Sequence, residues 1–272
     1  MRLIIFTDIE GTAGVLNKPD WCISEGRYYE KGKELLTKEV NAAVSSFYEN
    51  GFQDILVIDG HGVGGIDLTL LDERVLYQRG FVGPYPVGIE AGYDAIAWVG
   101  QHAKAGTAYA HICHTNSFNV IDQRVNGISL GEFGMEAYMA AEVGIIPIYA
   151  SGDQALCREA EELCPHIVTT AVKRGLMPGE GRECTLSEYI ERNTPAIHLT
   201  PAAAREKIHH DAGAAVKNYL SHKENMKLTP LKAPYELEME YRTECHGQSV
   251  LKRYFDSDSL VAVFNKYWAD QG

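Results

Sequence analysis

Short apolar runs alternate with segments of helical periodicity through the first 160 residues of the chain. Four runs have the length and apolar character of buried strands: residues 2–7, 54–59, 94–100 and 145–150. Between and after them, apolar residues recur at helical spacing in residues 32–50, 131–143 and 153–163. This alternation predicts an α/β fold with a central, mostly parallel sheet flanked by helices.

The C-terminal third carries fewer signals. Residues 200–225 open with Thr-Pro and predict a long amphipathic helix, and residues 259–268 predict a last helix. Residues 235–241 alternate strictly between apolar and polar, which predicts a strand with one solvent-exposed face. Residues 175–200 form a modest, loop-like break. We therefore expect a single α/β domain over residues 1–272, with a weak subdivision near residues 175–200.

The composition is that of an ordinary soluble globular enzyme, with 45% apolar and 23% charged residues among 272. No apolar run approaches the roughly 18 to 20 residues that a membrane-spanning helix needs. The net charge is −12, and the basic residues form no long cluster. We therefore expect neither a nucleic acid nor a membrane partner, because both require a positive face that releases counterions.

The N-terminal segment and the cysteines bear on the compartment. The segment MRLIIFTDIEG has too short an apolar stretch for a signal peptide, and it predicts a first strand instead. Six cysteines are scattered without a CxxC pair, as expected of reduced thiols: Cys22, Cys113, Cys157, Cys164, Cys184 and Cys245. We therefore expect a cytoplasmic protein.

Metal-ligand residue types follow three of the predicted strands. Asp8 and Glu10 come after the first strand, His61 after the second and His102 after the third. In open α/β sheets, ligands bind in the crevice beyond the carboxyl ends of the strands. Glu132 lies at the start of a predicted helix and could supply a fifth ligand. The sequence therefore predicts that these five side chains converge at one edge of the sheet.

Each of these signals is weak when taken alone. A histidine in a glycine-rich turn is most often a loop residue, and a glutamate at a helix start usually serves the helix dipole. Their coincidence after strands, each beside a glycine, favours a metal site. Two histidines and three carboxylates suit a hydrolytic pair of zinc ions better than a closed structural zinc site. Asp8 is closest to its strand and is the expected bridging ligand.

The segment AHICHTNSFN adds two more histidines, His111 and His114. Neither is needed to complete a five-ligand site for two metals. We assign His114 to catalysis, either as the group that moves a proton or as the group that attacks the scissile carbonyl. His111 is expected to be structural, and it remains the competing residue for the catalytic role.

Several motifs together resemble the D-aminopeptidase family of dinuclear zinc peptidases. They are DIEGTAG at 8–14, DGHG at 59–62, GQHAKA at 100–105 and LGEFGMEAY at 130–138, with His114 between the last two. Order and approximate spacing match over about residues 1–175. The resemblance implies two zinc ions per chain, a catalytic histidine at His114, and zinc ligands at Asp8 (shared), Glu10, His61, His102 and Glu132. It also implies a pentamer-based ring, typically a homodecamer, around a chamber that admits only short peptides.

Two other functions compete with this interpretation. The segment IIFTDIEGT also resembles the first motif of haloacid-dehalogenase-like phosphatases, in which Asp8 would be the nucleophile. That fold needs a lysine and a late acidic pair that binds Mg²⁺, whereas His61 and His102 suit zinc better. A non-catalytic, metal-stabilised ring protein is the second alternative, and it leaves His114 without a role. We therefore predict a zinc-dependent aminopeptidase acting on short peptides, with D- or L-preference left open.

Overall fold

The apolar runs form the strands of a central sheet in the computed structural model, which describes residues 1–81, 89 and 91–270. Along the chain the strands are β1 (Arg2–Thr7), β2 (Asp54–Asp59), β3 (Leu76–Arg79), β4 (Ala95–Gln101), β5 (Val120–Val125), β6 (Ile128–Ser129), β7 (Ile146–Asp153), β8 (Val168–Gly175), β9 (Ala196–His198), β10 (Tyr235–Arg242) and β11 (Ser249–Asp256). The helices are α1 (Lys18–Trp21), α2 (Tyr29–Glu49), α3 (Glu132–Glu142), α4 (Gln154–Leu163), α5 (Leu186–Arg192), α6 (Pro201–His222) and α7 (Leu260–Ala269).

The large sheet has seven strands in the order β3-β2-β1-β4-β7-β8-β9. Every neighbouring pair is parallel except β8 and β9. All residues of β4 are buried, which requires cover on both faces of the strand, as is usual for parallel sheets. Helices α2 and α3 both pack against β4, and α6 packs on α2. The predicted fold, a mostly parallel sheet flanked by helices, is confirmed.

A second, antiparallel sheet has the order β11-β10-β5-β6 and packs against α7. In β10 the buried residues Tyr235, Leu237 and Met239 alternate with partly exposed glutamates, as the sequence pattern predicts. Met135 and Tyr138 of α3 join the core of this second sheet, while Phe133 of α3 lies in the core of the large one. Helix α3 therefore contributes to both cores.

The predicted elements are confirmed with small shifts at their ends. Helix α2 begins at Tyr29 and not at residue 32, and Asp153 caps α4 by accepting a hydrogen bond from the N–H of Leu156. The helix predicted to reach residue 225 ends as α6 at His222, and a 3-10 turn, Lys223–Met226, follows. Residues 175–200 contain α5 and β9, and β9 pairs with β8 of the large sheet. The single-domain assignment stays a prediction.

Six of the described strands have no counterpart in the sequence prediction (β3, β5, β6, β8, β9 and β11), and β8 and β11 are the longest of them. Strand β8 mixes threonine, lysine and arginine with its apolar residues, and most of β11 is exposed, so neither shows a clean two-residue period. Strand β8 is relevant to the site because its Lys173 donates hydrogen bonds to backbone carbonyl oxygens of the loop that carries Glu10. None of the helices in the described ranges combines the length and apolarity that a membrane span requires.

Candidate metal centre

The candidate ligands lie where three adjacent strands end. Strand β1 is placed between β2 and β4, so the residues that follow these strands share one edge of the sheet. Asp8 comes directly after β1, His61 two residues after β2, and His102 directly after β4. Glu132 is the first residue of α3. The structure thus brings all five predicted ligands, and His114 as well, to the edge that the sequence predicted.

Two glycines allow the ends of β1 and β4 to touch. The N–H of Gly11 donates a 2.7 Å hydrogen bond to the carbonyl oxygen of Gly100. A Cβ on Gly11 would lie 1.9 Å from the Gln101 oxygen, and one on Gly100 would lie 2.1 Å from the Asp8 oxygen. Gly100 also has a φ of +76°, which side chains other than glycine seldom adopt. These glycines permit the backbone contact that sets Asp8 beside His102.

Replacing Gly100 with alanine is expected to lower the free energy of unfolding by more than about 2 kcal/mol. The new methyl group would collide with the Asp8 carbonyl and add strain at a left-handed backbone position. Urea denaturation measures this effect. Gly62→Ala is the matched control, because a Cβ there meets nothing within 4 Å, so we expect no loss of stability. Equal midpoints for the two variants would contradict this explanation of Gly100.

The first cluster contains Asp8, Glu10 and His61. The Nδ1 atom of His61 lies 3.0 Å from Asp8 Oδ1 and 3.1 Å from Glu10 Oε2. Its Nε2 atom lies 2.7 Å from the carbonyl oxygen of Cys22. Because a carbonyl only accepts, Nε2 carries a proton and donates it, which leaves Nδ1 to face the carboxylates. Histidines that bind metals in proteins are usually held in this way through the second ring nitrogen.

The second cluster contains His102, Glu132 and His114. His102 donates from Nδ1 to the Ala103 carbonyl oxygen over 2.9 Å, and its buried Nε2 has no well-aligned hydrogen bond among the described residues. That Nε2 faces Asp8 Oδ2 at 3.3 Å and Glu132 Oε1 at 3.6 Å. The Nε2 atom of His114 lies 3.9 Å from the same Glu132 oxygen.

Asp8 joins the two clusters. Its Oδ1 faces His61 and its Oδ2 faces His102, which is the disposition of a carboxylate shared between two ions. Within each cluster the candidate ligand atoms all lie within 4.8 Å of one another. Three buried carboxylates need positive charge nearby, and nitrogen and oxygen donors of this kind suit zinc. These residues therefore fit a pair of divalent cations.

The electrostatics of the site support the same conclusion. Burial would raise the pKa of Asp8, but interactions with His102 and His61 hold that pKa well below its usual range. Burial would lower the pKa of His102, but Glu132 and Asp8 raise it to about 10. Burial raises the pKa of Glu132 to about 7. The acid groups thus attract protons onto the imidazoles when no cation is bound, and a metal has to displace those protons.

His114 has a different environment from the other two histidines. Its ring lies between the rings of His102 and Phe118, with centroid distances of 4.1 and 4.3 Å. Nδ1 of His114 donates to the Ile112 carbonyl oxygen over 3.0 Å. Burial, together with the charge of His102, holds the pKa of His114 well below its usual range. Because Nδ1 is bound to a carbonyl oxygen, Nε2 is the ring nitrogen that remains for other contacts.

The segment around His114 is held in an uncommon backbone conformation. Ile112 and Asn116 have φ values of +56° and +59°, in the left-handed region. The N–H of Asn116 donates to Glu132 Oε1 over 2.8 Å. Strained, non-glycine residues of this kind cluster at functional sites. His111 of the same segment is fully buried, and its Nε2 contacts the Leu16 carbonyl oxygen at 3.1 Å.

A cavity of about 530 Å³ opens over the two clusters. Asp8, Glu10, His61, His114 and Glu132 line it, whereas His111 does not. Five of the other lining residues, which sequence reasoning did not assign to the site, come from several parts of the chain: Lys18, Arg79, Phe81, Asn116 and Trp268. Of these, only Asn116 had a sequence signal, because it belongs to the polar HTNS segment.

A buried lysine supports the loop that carries Glu10. Lys173 of β8 is 4% exposed, and its ammonium donates to the carbonyl oxygens of Glu10, Thr12 and Val15. Burial lowers the pKa of Lys173 to about 8. Glu39 of α2 accepts a 2.9 Å hydrogen bond from the N–H of Ala13 in the same loop. The loop between β1 and α1 is thus held by hydrogen bonds from both β8 and α2.

Comparisons with known proteins return a matching family, a similar sequence and a similar structure. The model of a peptidase family, M55, described as D-aminopeptidase, matches residues 1–252. A curated D-aminopeptidase of Bacillus subtilis (strain 168) is 29% identical over 178 residues, which span 64% of this chain and 64% of that protein. A solved structure, described as a zinc-dependent D-aminopeptidase from Bacillus subtilis and a self-compartmentalizing protease, superposes with a TM-score of 0.85. It is 22% identical, covers 100% of this chain and 97% of its own, and shares the fold.

Proposed function

The chain belongs to the D-aminopeptidase family, and from this premise we propose that it is a zinc-dependent aminopeptidase that removes N-terminal residues from short peptides. The observation that carries the proposal is the Asp8 carboxylate, whose two oxygens face two different buried imidazoles. Bound zinc supplies Lewis acidity, which polarises the scissile carbonyl and makes a water easier to deprotonate.

We assign the ligands of two zinc ions to five residues. Asp8, Glu10 and His61 would hold one ion, and their contacts of 3.0 and 3.1 Å support this set. Asp8, His102 and Glu132 would hold the other, supported by the contacts of His102 at 3.3 and 3.6 Å. The hydrogen bonds of the second ring nitrogens orient both imidazoles before an ion arrives.

His114 is the proposed catalytic residue. Its Nδ1 is occupied by the Ile112 carbonyl oxygen, so Nε2 is the atom available to substrate. Stacking between His102 and Phe118 holds the ring in one orientation. A neutral imidazole in this position can take a proton or attack the scissile carbonyl. Cleavage at the free N-terminus is proposed from the family of the chain, because the carboxylates that line the cavity are all assigned to the metal ions.

The surroundings of Asp8 argue against the phosphatase alternative. A phosphoryl-accepting aspartate needs an acidic pair for Mg²⁺, and here His61 and His102 contact both oxygens of the carboxylate. The non-catalytic alternative leaves His114, which lines the cavity, without a role.

Assembly and compartment are part of the same proposal. A relative is described as a self-compartmentalizing protease, which supports an oligomer for this chain, and we propose the pentamer-based ring or homodecamer that the family resemblance implies. Light scattering that gave the mass of a single 30.1 kDa chain would contradict the ring.

All six cysteines are free thiols, which supports a cytoplasmic location.

A substrate screen tests the proposed activity. We expect the purified protein to release amine from D- or L-aminoacyl p-nitroanilides and from dipeptides, and to leave N-acetylated versions intact because they lack the α-ammonium. The matched control is p-nitrophenyl phosphate, which we expect to remain uncleaved. Hydrolysis of the phosphate ester without any release from the aminoacyl compounds would favour the phosphatase instead.

A further inference from the structure

The cavity over the metal centre carries both signs of charge. Asp8, Glu10 and Glu132 supply carboxylates, and Lys18 and Arg79 supply cations. The carboxylates already have a function as metal ligands under the proposed function. The two cations have none in it, so their contacts decide whether either is free to meet a substrate.

Arg79 is committed to the protein. Its guanidinium donates to the carbonyl oxygens of Asp59, at 3.1 Å, and His61, at 2.6 Å, and also to that of Gly62. The Asp59 carboxylate lies 3.8 Å from the same group. Arg79 therefore holds the loop that carries His61, and few of its N–H groups remain for a ligand.

Lys18 is not committed in this way. No acidic side chain among the described residues lies within ion-pair distance of its ammonium. The nearest acid in sequence, Asp20, is bound to Asn17 instead: its carboxylate accepts a 3.1 Å hydrogen bond from Asn17 Nδ2, and its N–H donates to Asn17 Oδ1 over 2.8 Å. The Lys18 ammonium lies 4.2 Å from the centroid of the Phe118 ring. It is a half-buried cation on the wall of a cavity.

The position of Lys18 is fixed relative to the catalytic groups. Phe118 stacks on His114, so the Lys18 ammonium is one aromatic ring away from the proposed catalytic imidazole. Helix α1, on which Lys18 is the first residue, is capped by Asn17 and contains Pro19. Directly after it, the carbonyl oxygen of Cys22 accepts from His61. The backbone of α1 is therefore held at its start by the Asn17 cap and just after its end by a contact to a candidate metal ligand.

We propose that Lys18 binds the C-terminal carboxylate of the peptide substrate, and so selects peptides with only one or two residues after the scissile bond. This inference rests on the proposed aminopeptidase function. An extended chain advances about 3.3–3.6 Å per residue, so a carboxylate one or two residues past the scissile carbonyl is within reach of a cation placed one ring from His114. Longer peptides and peptides with an amidated C-terminus offer no charge at that position.

The test compares a dipeptide that carries a free carboxylate with the same dipeptide as its C-terminal amide. For the wild-type protein we expect kcat/KM to be roughly ten- to a hundredfold higher for the free acid, the range for a partly desolvated charge pair. In Lys18→Met this ratio is expected to fall towards one. Lys18→Arg keeps the charge and is expected to restore most of the preference.

Lys33→Met is the matched control. Lys33 also lies over an aromatic ring, that of Tyr29 at 5.6 Å, but it pairs with Glu30 and does not line the cavity. We expect it to keep the wild-type ratio. A Lys18→Met ratio equal to that of the wild type would overturn the inference while the aminopeptidase function stands. A wild-type protein that cleaves neither peptide would overturn the proposed function and this inference with it.

Discussion

Replacing Asp8 with asparagine is expected to lower kcat/KM by at least roughly 10³-fold and to reduce the bound metal to one ion or none. The two carboxylate oxygens face His61 and His102 separately, at 3.0 and 3.3 Å. Asparagine keeps one of these oxygens and replaces the other with an amide nitrogen, which cannot bind a cation. Peptide hydrolysis and elemental analysis of the same preparation measure the two effects together.

Asp94→Asn is the control for this variant. Asp94 lies just before β4, at the end of the strand opposite to the site, and its carboxylate accepts a 2.8 Å hydrogen bond from the N–H of Arg2. We expect Asp94→Asn to keep both the metal and the turnover. An Asp8→Asn protein that retained two ions and wild-type kcat/KM would show that Asp8 does not bridge them.

The second large effect concerns His114. His114→Ala is expected to lower kcat by roughly 10²- to 10⁴-fold, the range for a positioned acid, base or nucleophile. Because His114 is assigned to catalysis and not to metal binding, the metal content should stay unchanged. This expectation separates two possible roles, because a ring nitrogen of His114 lies within 4.8 Å of ligand atoms of His102 and Glu132 and is close enough to bind the same ion. Steady-state kinetics and metal analysis of one variant therefore separate the two roles.

His111→Ala is the comparison. His111 is buried against the Leu16 carbonyl oxygen, away from the cavity, and burial lowers its pKa to about 2. We expect His111→Ala to lose stability and to keep most of its turnover per folded chain. If the two variants exchanged phenotypes, the catalytic histidine would be His111. If His114→Ala lost metal, His114 would be a ligand.

The part of the site that the sequence predicts is the part that depends on strand order. Asp8, His61 and His102 each lie one or two residues after a strand, and parallel strands bring such residues to one edge of the sheet. The glycines near the candidate ligands also helped to predict the site, and the structure gives the reason for two of them. Gly100 and Gly11 are required because the ends of β1 and β4 lie in backbone contact.

The residues that the sequence could not predict reach the site through tertiary packing. Lys18 lies on a helix of four residues, which is too short to produce a periodic pattern. Lys173 belongs to β8, whose mixed composition does not show the two-residue period of a strand. Its partners are three backbone carbonyl groups, which every residue has and which therefore give no sequence signal. Phe118 follows Asn116, a residue in the left-handed backbone region, by two positions, and its ring stacks on His114.

The most direct test of the account is the zinc content of the purified chain, measured by inductively coupled plasma mass spectrometry alongside peptide hydrolysis before and after chelation. The two clusters that share Asp8 predict two zinc ions per chain, loss of hydrolysis when a chelator removes them, and recovery when zinc is returned. A chelated sample that contains no metal and still hydrolyses peptides at the full rate would contradict the account.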